Sequence, residues 1–395
     1  MNERLKPFGT SIFAEMSRLA AAHRAVNLSQ GFPDFDGPEF VKEAAAQAMR
    51  DGHNQYARMA GVAPLNEALA ARWKRLTGLA VDPDSEVTVT CGCTQAVAAT
   101  FLGLLNPGDE VIVFEPFYDS YPAVLAMAEA SARVVTLKAG DAAATAAKGT
   151  CPKYTFDPAQ LRAAVTPRTR AILLNTPSNP SGKVFTREEL ALIAEVCIAH
   201  DLVAVTDEVY EHLVFEGEHI RLATLPGMAE RTITLSSLGK TFSLTGWKVG
   251  WAIAPKDLSA SLRSAHQFLT FSIATPLQYG ALAAINAPEA YFSEFLAEYT
   301  KRRAFLCDAL REIGFGVHVP QGTYFVMADH RPFGFADDMS FCRHLVEEVG
   351  VAAIPPSVFY RNPAEGRHLV RFAFCKKIET MEAAVERMQK GLKVR

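Results

Sequence analysis

Short apolar, β-branched runs alternate along this chain with stretches of helical period. The segment Glu86-Val-Thr-Val-Thr90 leads into an apolar helical pattern over 96–105, and Asp109-Glu-Val-Ile-Val-Phe114 leads into a helix near 121–130. The run 170–174 precedes a helix over 187–197, and 202–205 and 232–235 are further short apolar strands. Strands buried on both faces read as continuous apolar runs. Their alternation with helices predicts a largely parallel sheet covered by helices, an α/β fold. Beyond 286 the rhythm changes: a helix over 290–313, a strand at 323–327, a helix over 341–349, strands at 351–354 and 369–374, and a closing helix. That predicts a smaller α+β unit, on which the partly irregular residues 1–45 are expected to pack. There is no internal repeat and no low-complexity linker, although 142–148 is alanine-rich.

Length and charge narrow the function. A chain of 395 residues suggests two domains of unequal size, expected at 46–285 and at 1–45 with 286–395. The net charge of −3 gives no reason to expect nucleic acid or an anionic membrane surface as partner. No apolar run reaches the ~18–20 residues needed to span a bilayer. The start, Met1 to Pro7, lacks the apolar stretch of a signal peptide. Seven scattered cysteines point to a reduced, cytoplasmic setting. Cys91 and Cys93 are spaced C-x-C with no second Cys/His pair nearby, so they read as the lining of a turn and no metal is expected.

Unusual polar residues collect at the carboxyl ends of the expected strands, where open parallel sheets bind ligands. After 86–90 come Gly92, Cys93 and Thr94 at a helix start, which suits a phosphate or is an ordinary N-cap. Tyr118 follows 109–114 and can stack on a planar ring or sit in the core. Asn179 lies in a turn fixed by two prolines and Gly182. Asp207 ends an apolar strand, where a carboxylate is costly without a partner; a protonated pyridine nitrogen or a structural cation fits equally in kind. Lys240 follows 232–235, and desolvation there makes its amine nucleophilic and suited to a Schiff base. Ser237 and Lys248 are spaced to reach one phosphate. Arg371 interrupts the strand 369–374 with a fork that grips carboxylates, or is an edge-strand arginine. Together these describe one cofactor and one amino-acid substrate.

From about Val26 to Arg387 the chain resembles class I/II aminotransferases of pyridoxal-phosphate (PLP) fold type I. The likeness rests on Asn175-Thr-Pro-Ser-Asn-Pro-Ser-Gly182, Asp207-Glu-Val-Tyr210 and Ser236-Ser-Leu-Gly-Lys-Thr-Phe-Ser-Leu-Thr-Gly-Trp-Lys-Val-Gly250. The segments 27–38, 266–271 and 351–355 look closest to bacterial methionine aminotransferase, with kynurenine/glutamine transaminases next. The resemblance implies a large domain with a mainly parallel seven-stranded sheet, a smaller α+β domain, and PLP as cofactor. It makes Lys240 the Schiff-base lysine and proton shuttle, pairs Asp207 with the pyridine nitrogen, and sets Asn179 and Tyr210 on the phenolic oxygen. Tyr118 stacks on the ring. Gly92, the Cys93 backbone, Thr94, Ser237 and Lys248 hold the phosphate, with Tyr56 reaching it from the neighbouring subunit of a homodimer with shared sites. Arg371, Asn179 and the Gly31 backbone hold the substrate carboxylate, and Phe13, Tyr56 and Phe271 line the side-chain pocket. Many relatives carry arginine where Lys248 stands, and no counterpart is visible to the second arginine of aspartate transaminases.

The expectation is therefore an aminotransferase that moves the amino group of methionine, or of aromatic and other apolar amino acids, to a 2-oxo acid. The alternative is a kynurenine/glutamine transaminase with cysteine-conjugate β-lyase side activity. A non-enzymatic regulator would need a DNA-binding module for which there is no room.

Overall fold

A computed structural model describes residues 2–140 and 153–394; the alanine-rich stretch 142–148 lies outside them. The strands, in chain order, are β1 (Val26–Asn27), β2 (Val87–Thr90), β3 (Glu110–Glu115), β4 (Ser131–Thr136), β5 (Thr169–Asn175), β6 (Val203–Asp207), β7 (Thr232–Ser237), β8 (Gly250–Ile253), β9 (Gly316–His318), β10 (Phe325–Asp329), β11 (Val351–Ala352) and β12 (Leu369–Ala373). Seven of them form one sheet in the order β2-β8-β7-β6-β5-β3-β4. The run from β7 to β4 is parallel throughout, and β8 pairs antiparallel with both β7 and β2. Every residue of β2, β3 and β8 is buried, as a sheet covered on both faces requires.

The apolar runs thus became the strands they predicted, while β4 and β8 are additions. β4 sits at the sheet edge with its first four residues exposed or half-buried, so it lacks the unbroken apolar run of a central strand. β8 is a short apolar run that follows the Lys240 segment with no long helical stretch between, so the strand–helix alternation did not mark it. Helix ends follow local chemistry. Thr186 and Glu189 form a reciprocal capping box at the start of Arg187–Ala199. The 25-residue helix Glu289–Ile313 stops at Gly314 in the left-handed region.

In the tail, β12-β10-β9 form an antiparallel sheet. The amino-terminal segment joins the tail through β1, which pairs parallel with β11 in a separate two-stranded sheet. Residue 46, the expected boundary, falls inside the helix Glu39–Arg50. That helix packs tightly on Thr275–Ile285: a Cβ on Gly280 would lie 3.1 Å from the Ala45 Cβ and 2.7 Å from Trp247. The whole helix goes with the larger unit. One apolar cluster joins the units, running from Val205, Ile233 and Leu235 of the large sheet to Phe325, Val370 and Phe372 of the small one. The strand ends that carry the polar residues face this junction.

Candidate active site

A cavity of about 370 Å³ opens at the carboxyl ends of β5, β6 and β7. Its wall includes Phe13, Gly31, Gly92, Cys93, Thr94, Tyr118, Asn179, Asp207, Tyr210, Ser237, Lys240, Lys248 and Arg371. Thirteen of the fifteen residues expected from sequence therefore meet in one place. The other two, Tyr56 and Phe271, do not line the cavity of their own chain. Tyr56 is 86% exposed and meets Phe271 edge-on, with centroids 5.5 Å apart.

Asp207 ends β6 and is buried. Its Oδ2 accepts the Tyr121 hydroxyl at 2.8 Å and its Oδ1 the Val209 amide at 3.3 Å. The Cys93 thiol is a further hydrogen-bond partner. Burial raises its pKa, and these donors pull it back down. Among the described residues no lysine, arginine or histidine forms an ion pair with it. The structural cation that could have explained an acid here is therefore not what it faces; a cationic partner belongs in the cavity itself.

Lys240 lies in the short helix Leu238–Thr241 that β7 runs into. Burial lowers its pKa, and Lys248 and Arg371 push the same way. Its Nζ donates to the Gly31 carbonyl at 3.4 Å, an acceptor it shares with the Tyr324 hydroxyl at 2.6 Å. Gly31 must be glycine, because an added Cβ would lie 2.5 Å from the Phe325 ring. Tyr210, wholly enclosed, has its pKa raised beyond the usual phenol range by burial and keeps its proton.

The end of the cavity expected to take the phosphate is built by Gly92–Leu104, a helix whose first turn begins at Gly92 with φ +71°. A Cβ there would sit 3.1 Å from Lys248 Nζ, so the missing side chain keeps open the space between the ammonium and the first-turn amides. Thr94 hydrogen-bonds Tyr118, whose pKa burial pushes up to about 12.

At the opposite end Arg371 is 1% exposed although β12 is an edge strand. Its Nη1 donates to Asn179 Oδ1 at 3.0 Å and its Nη2 to the Ser29 carbonyl at 2.9 Å. Its Nε is buried without a hydrogen-bond partner among the described residues. Phe325 and Phe13 lie under the guanidinium at 4.1 and 5.2 Å. Burial lowers its pKa to about 10, which still leaves it charged at neutral pH. Asn179 is fixed in turn by its backbone N–H, which donates to Asn175 Oδ1 at 2.7 Å.

Sequence reasoning missed Tyr121, Tyr324, Phe325 and Gln30, all of which touch or support the site. Tyr121 and Tyr324 sit in apolar stretches and looked like core. Gln30, whose amide donates to the Phe13 carbonyl at 3.2 Å, lies one residue before Gly31, the only signal it had.

An unpaired buried carboxylate, a desolvated amine and a glycine-lined cationic cradle fit the ring nitrogen, aldehyde and phosphate of pyridoxal phosphate. Fold and site define a PLP-dependent transaminase, and the chain belongs to the class I and II aminotransferases, whose family profile matches residues 23–388. It is 48% identical to the probable N-succinyldiaminopimelate aminotransferase of Mycobacterium tuberculosis, over 98% of this chain and 97% of that one. The solved structure of the N-succinyldiaminopimelate aminotransferase from that organism aligns with a TM-score of 0.94 at 47% identity, covering 99% of both chains. The methionine aminotransferase of Escherichia coli is 40% identical over 98% of this chain and 97% of its own. The likeness to a methionine enzyme thus stands, with a more similar relative beside it.

Proposed function

We propose that this aminotransferase takes an amino donor with an uncharged side chain, methionine first, and passes its amino group to a 2-oxo acid. The observation that carries the reading is the cation inventory of the cavity wall. Among the described residues it holds Lys240, Lys248 and Arg371 only. Two of these serve the cofactor, which leaves, on this chain's own wall, one guanidinium for the α-carboxylate and none for a charged side chain. Phe13, Phe32 and Phe325 supply apolar wall instead, and a thioether packs well on ring edges.

When bound, pyridoxal phosphate supplies a carbonyl for the amino group and a protonated ring that takes up the electrons released at the substrate's α-carbon. The chain does the rest. Arg371 orients the donor through its carboxylate, and with Asn179 Oδ1 held by Arg371, the Asn179 amide nitrogen is left to donate to the cofactor's phenolic oxygen alongside Tyr210. Asp207 keeps a negative charge at the ring nitrogen. Tyr118 stacks on the ring, and Gly92, Cys93, Thr94, Ser237 and Lys248 hold the phosphate. Lys240, neutral in a larger fraction because it is desolvated, removes the α-proton and returns it one atom away. The Gly31 carbonyl gives that amine a fixed acceptor between transfers.

The reading includes a homodimer, in which the exposed Tyr56 and Phe271 serve the neighbouring cavity, and a cytoplasmic setting. No helix among the described residues is long and apolar enough to cross a membrane. A second donor, an N-succinylated diamino acid, is favoured by the 48% identity to the mycobacterial relative; its side-chain carboxylates lie several bonds from the reacting amine. Steady-state kcat/KM for methionine, N-succinyldiaminopimelate and aspartate against one fixed 2-oxo acid separates these readings.

A further inference from the structure

One buried histidine outside the cavity joins its phosphate end to two distant surface segments. His266 lies in the helix Lys256–Leu269 and has no exposed surface. Its Nε2 is 3.1 Å from the Met59 carbonyl and its Nδ1 3.0 Å from Gln95 Nε2. Gln95 Oε1 in turn accepts the Cys91 amide at 3.0 Å. A carbonyl can only accept, so Nε2 carries the proton; Nδ1 then accepts from Gln95, which turns Gln95 Oε1 toward Cys91. Every group in the relay has one possible role, and all of them require a neutral imidazole. Burial, which lowers the pKa of His266, favours that form.

The ends of the relay are informative. Cys91 immediately precedes the helix start at Gly92, Cys93 and Thr94. Met59 stands three residues after Tyr56. The His266 carbonyl itself accepts the amides of Thr270 at 3.0 Å and Phe271 at 3.2 Å, which ends the helix and turns Phe271 outward at φ +64°. Thr275 fastens the Tyr56 side by donating to the Gln55 carbonyl at 2.6 Å.

We propose that His266 is a positioning residue that ties the phosphate cradle at residues 92–94 to the aromatic pair Tyr56 and Phe271, so that the two hold one geometry together. The inference rests on reading residues 92–94 with Lys248 as the phosphate site. It has a reciprocal consequence: filling the cradle firms the Tyr56–Phe271 surface, and disturbing that surface weakens the cradle. In a dimer whose subunits share sites, this relay links one phosphate site to the neighbouring cavity.

The test uses the holoenzyme and three variants: His266→Leu, His266→Gln, which keeps one N–H and one acceptor, and Gln95→Leu. The readouts are the phosphorus-31 resonance of bound pyridoxal phosphate, its Kd by equilibrium dialysis, and hydrogen exchange over 53–62 and 266–272 with and without cofactor. His266→Leu and Gln95→Leu are each expected to shift the resonance and weaken cofactor binding about tenfold, the loss of one buried hydrogen-bond partner. Combined, they should be little worse than either alone, and His266→Gln should recover most of the affinity. Cofactor-induced protection over 53–62 should vanish in both leucine variants. If either leucine variant keeps the wild-type resonance, affinity and protection, or if His266→Gln is as impaired as His266→Leu, His266 is packing and the inference falls. Thr94→Ala and Lys248→Ala separate the two layers: if they leave the Kd unchanged, the cradle reading itself is wrong.

Discussion

Arg371 Nη1 lies 3.0 Å from Asn179 Oδ1, a hydrogen bond that ties a strand of the small sheet to the turn after β5 of the large one. The proposed carboxylate site would therefore be assembled across both units. Because donor and acceptor each bring an α-carboxylate, Arg371→Leu is expected to raise KM for both, by two orders of magnitude or more. Losing a partner from a buried charged pair costs about 2–5 kcal/mol. Arg371→Lys should recover little, since an ammonium lacks the fork. A variant impaired toward only one of the two substrates would contradict a shared carboxylate site.

Asp207 predicts opposite effects on stability and on activity. Its pKa is raised by burial, so the ionised form destabilises the folded protein without cofactor. The stability that a neutral group keeps below its unfolded pKa of about 3.9 is lost as pH rises through the higher folded value. Asp207→Asn should therefore raise the Tm of the cofactor-free protein at pH 7 while lowering turnover by orders of magnitude. A cofactor-free Tm that falls would mean the carboxylate is already well paired within the chain.

The Tyr121 hydroxyl lowers the pKa of Asp207, so Tyr121→Phe should raise it. The acid limb of the kcat/KM profile is expected to move to higher pH, because one hydrogen bond to the ionised carboxylate is lost. An unmoved limb would show that Tyr121 serves packing only.

Gly92→Ala tests the phosphate cradle sterically. With φ at +71° and Lys248 Nζ 3.1 Å from the added methyl, backbone strain and obstruction act together. Cofactor Kd should rise at least about tenfold, read by fluorescence titration, with far-UV circular dichroism unchanged.

Lys240→Ala should leave a folded protein that still holds the cofactor non-covalently but does not turn over, since one amine is both attachment point and base. Substantial steady-state transamination would remove Lys240 from that role.

The sequence showed most of the large sheet because the centres of β3, β5 and β6 are buried on both faces and read as apolar runs, while β7 shows its β-branched residues between turns. β8, an apolar run as short as β2, escaped because no long helical stretch separates it from the Lys240 segment and so no strand–helix alternation marks it, and β4 because its first half, Ser131-Ala-Arg133, is polar and exposed or half-buried. Charged site residues were legible for a simple reason: Asp207, Lys240 and Arg371 interrupt apolar surroundings, where a charge demands a partner. Tyr121 and Tyr324 were not, because a tyrosine in an apolar stretch looks like core until the partner of its hydroxyl is known. Tyr56 and Phe271 were singled out by resemblance alone, and nothing in their local pattern separates them from ordinary surface aromatics.

The central claim is that this chain's described residues bring one substrate-facing cation to the cavity, which therefore prefers an uncharged donor side chain. The most direct measurement is kcat/KM for methionine, N-succinyldiaminopimelate and aspartate with one fixed 2-oxo acid. The account predicts methionine highest and aspartate at least about a hundredfold lower, the penalty of about 3 kcal/mol for desolvating a carboxylate without a partner. Aspartate equal to or above methionine would contradict it and would require a second cation beside the donor's side chain.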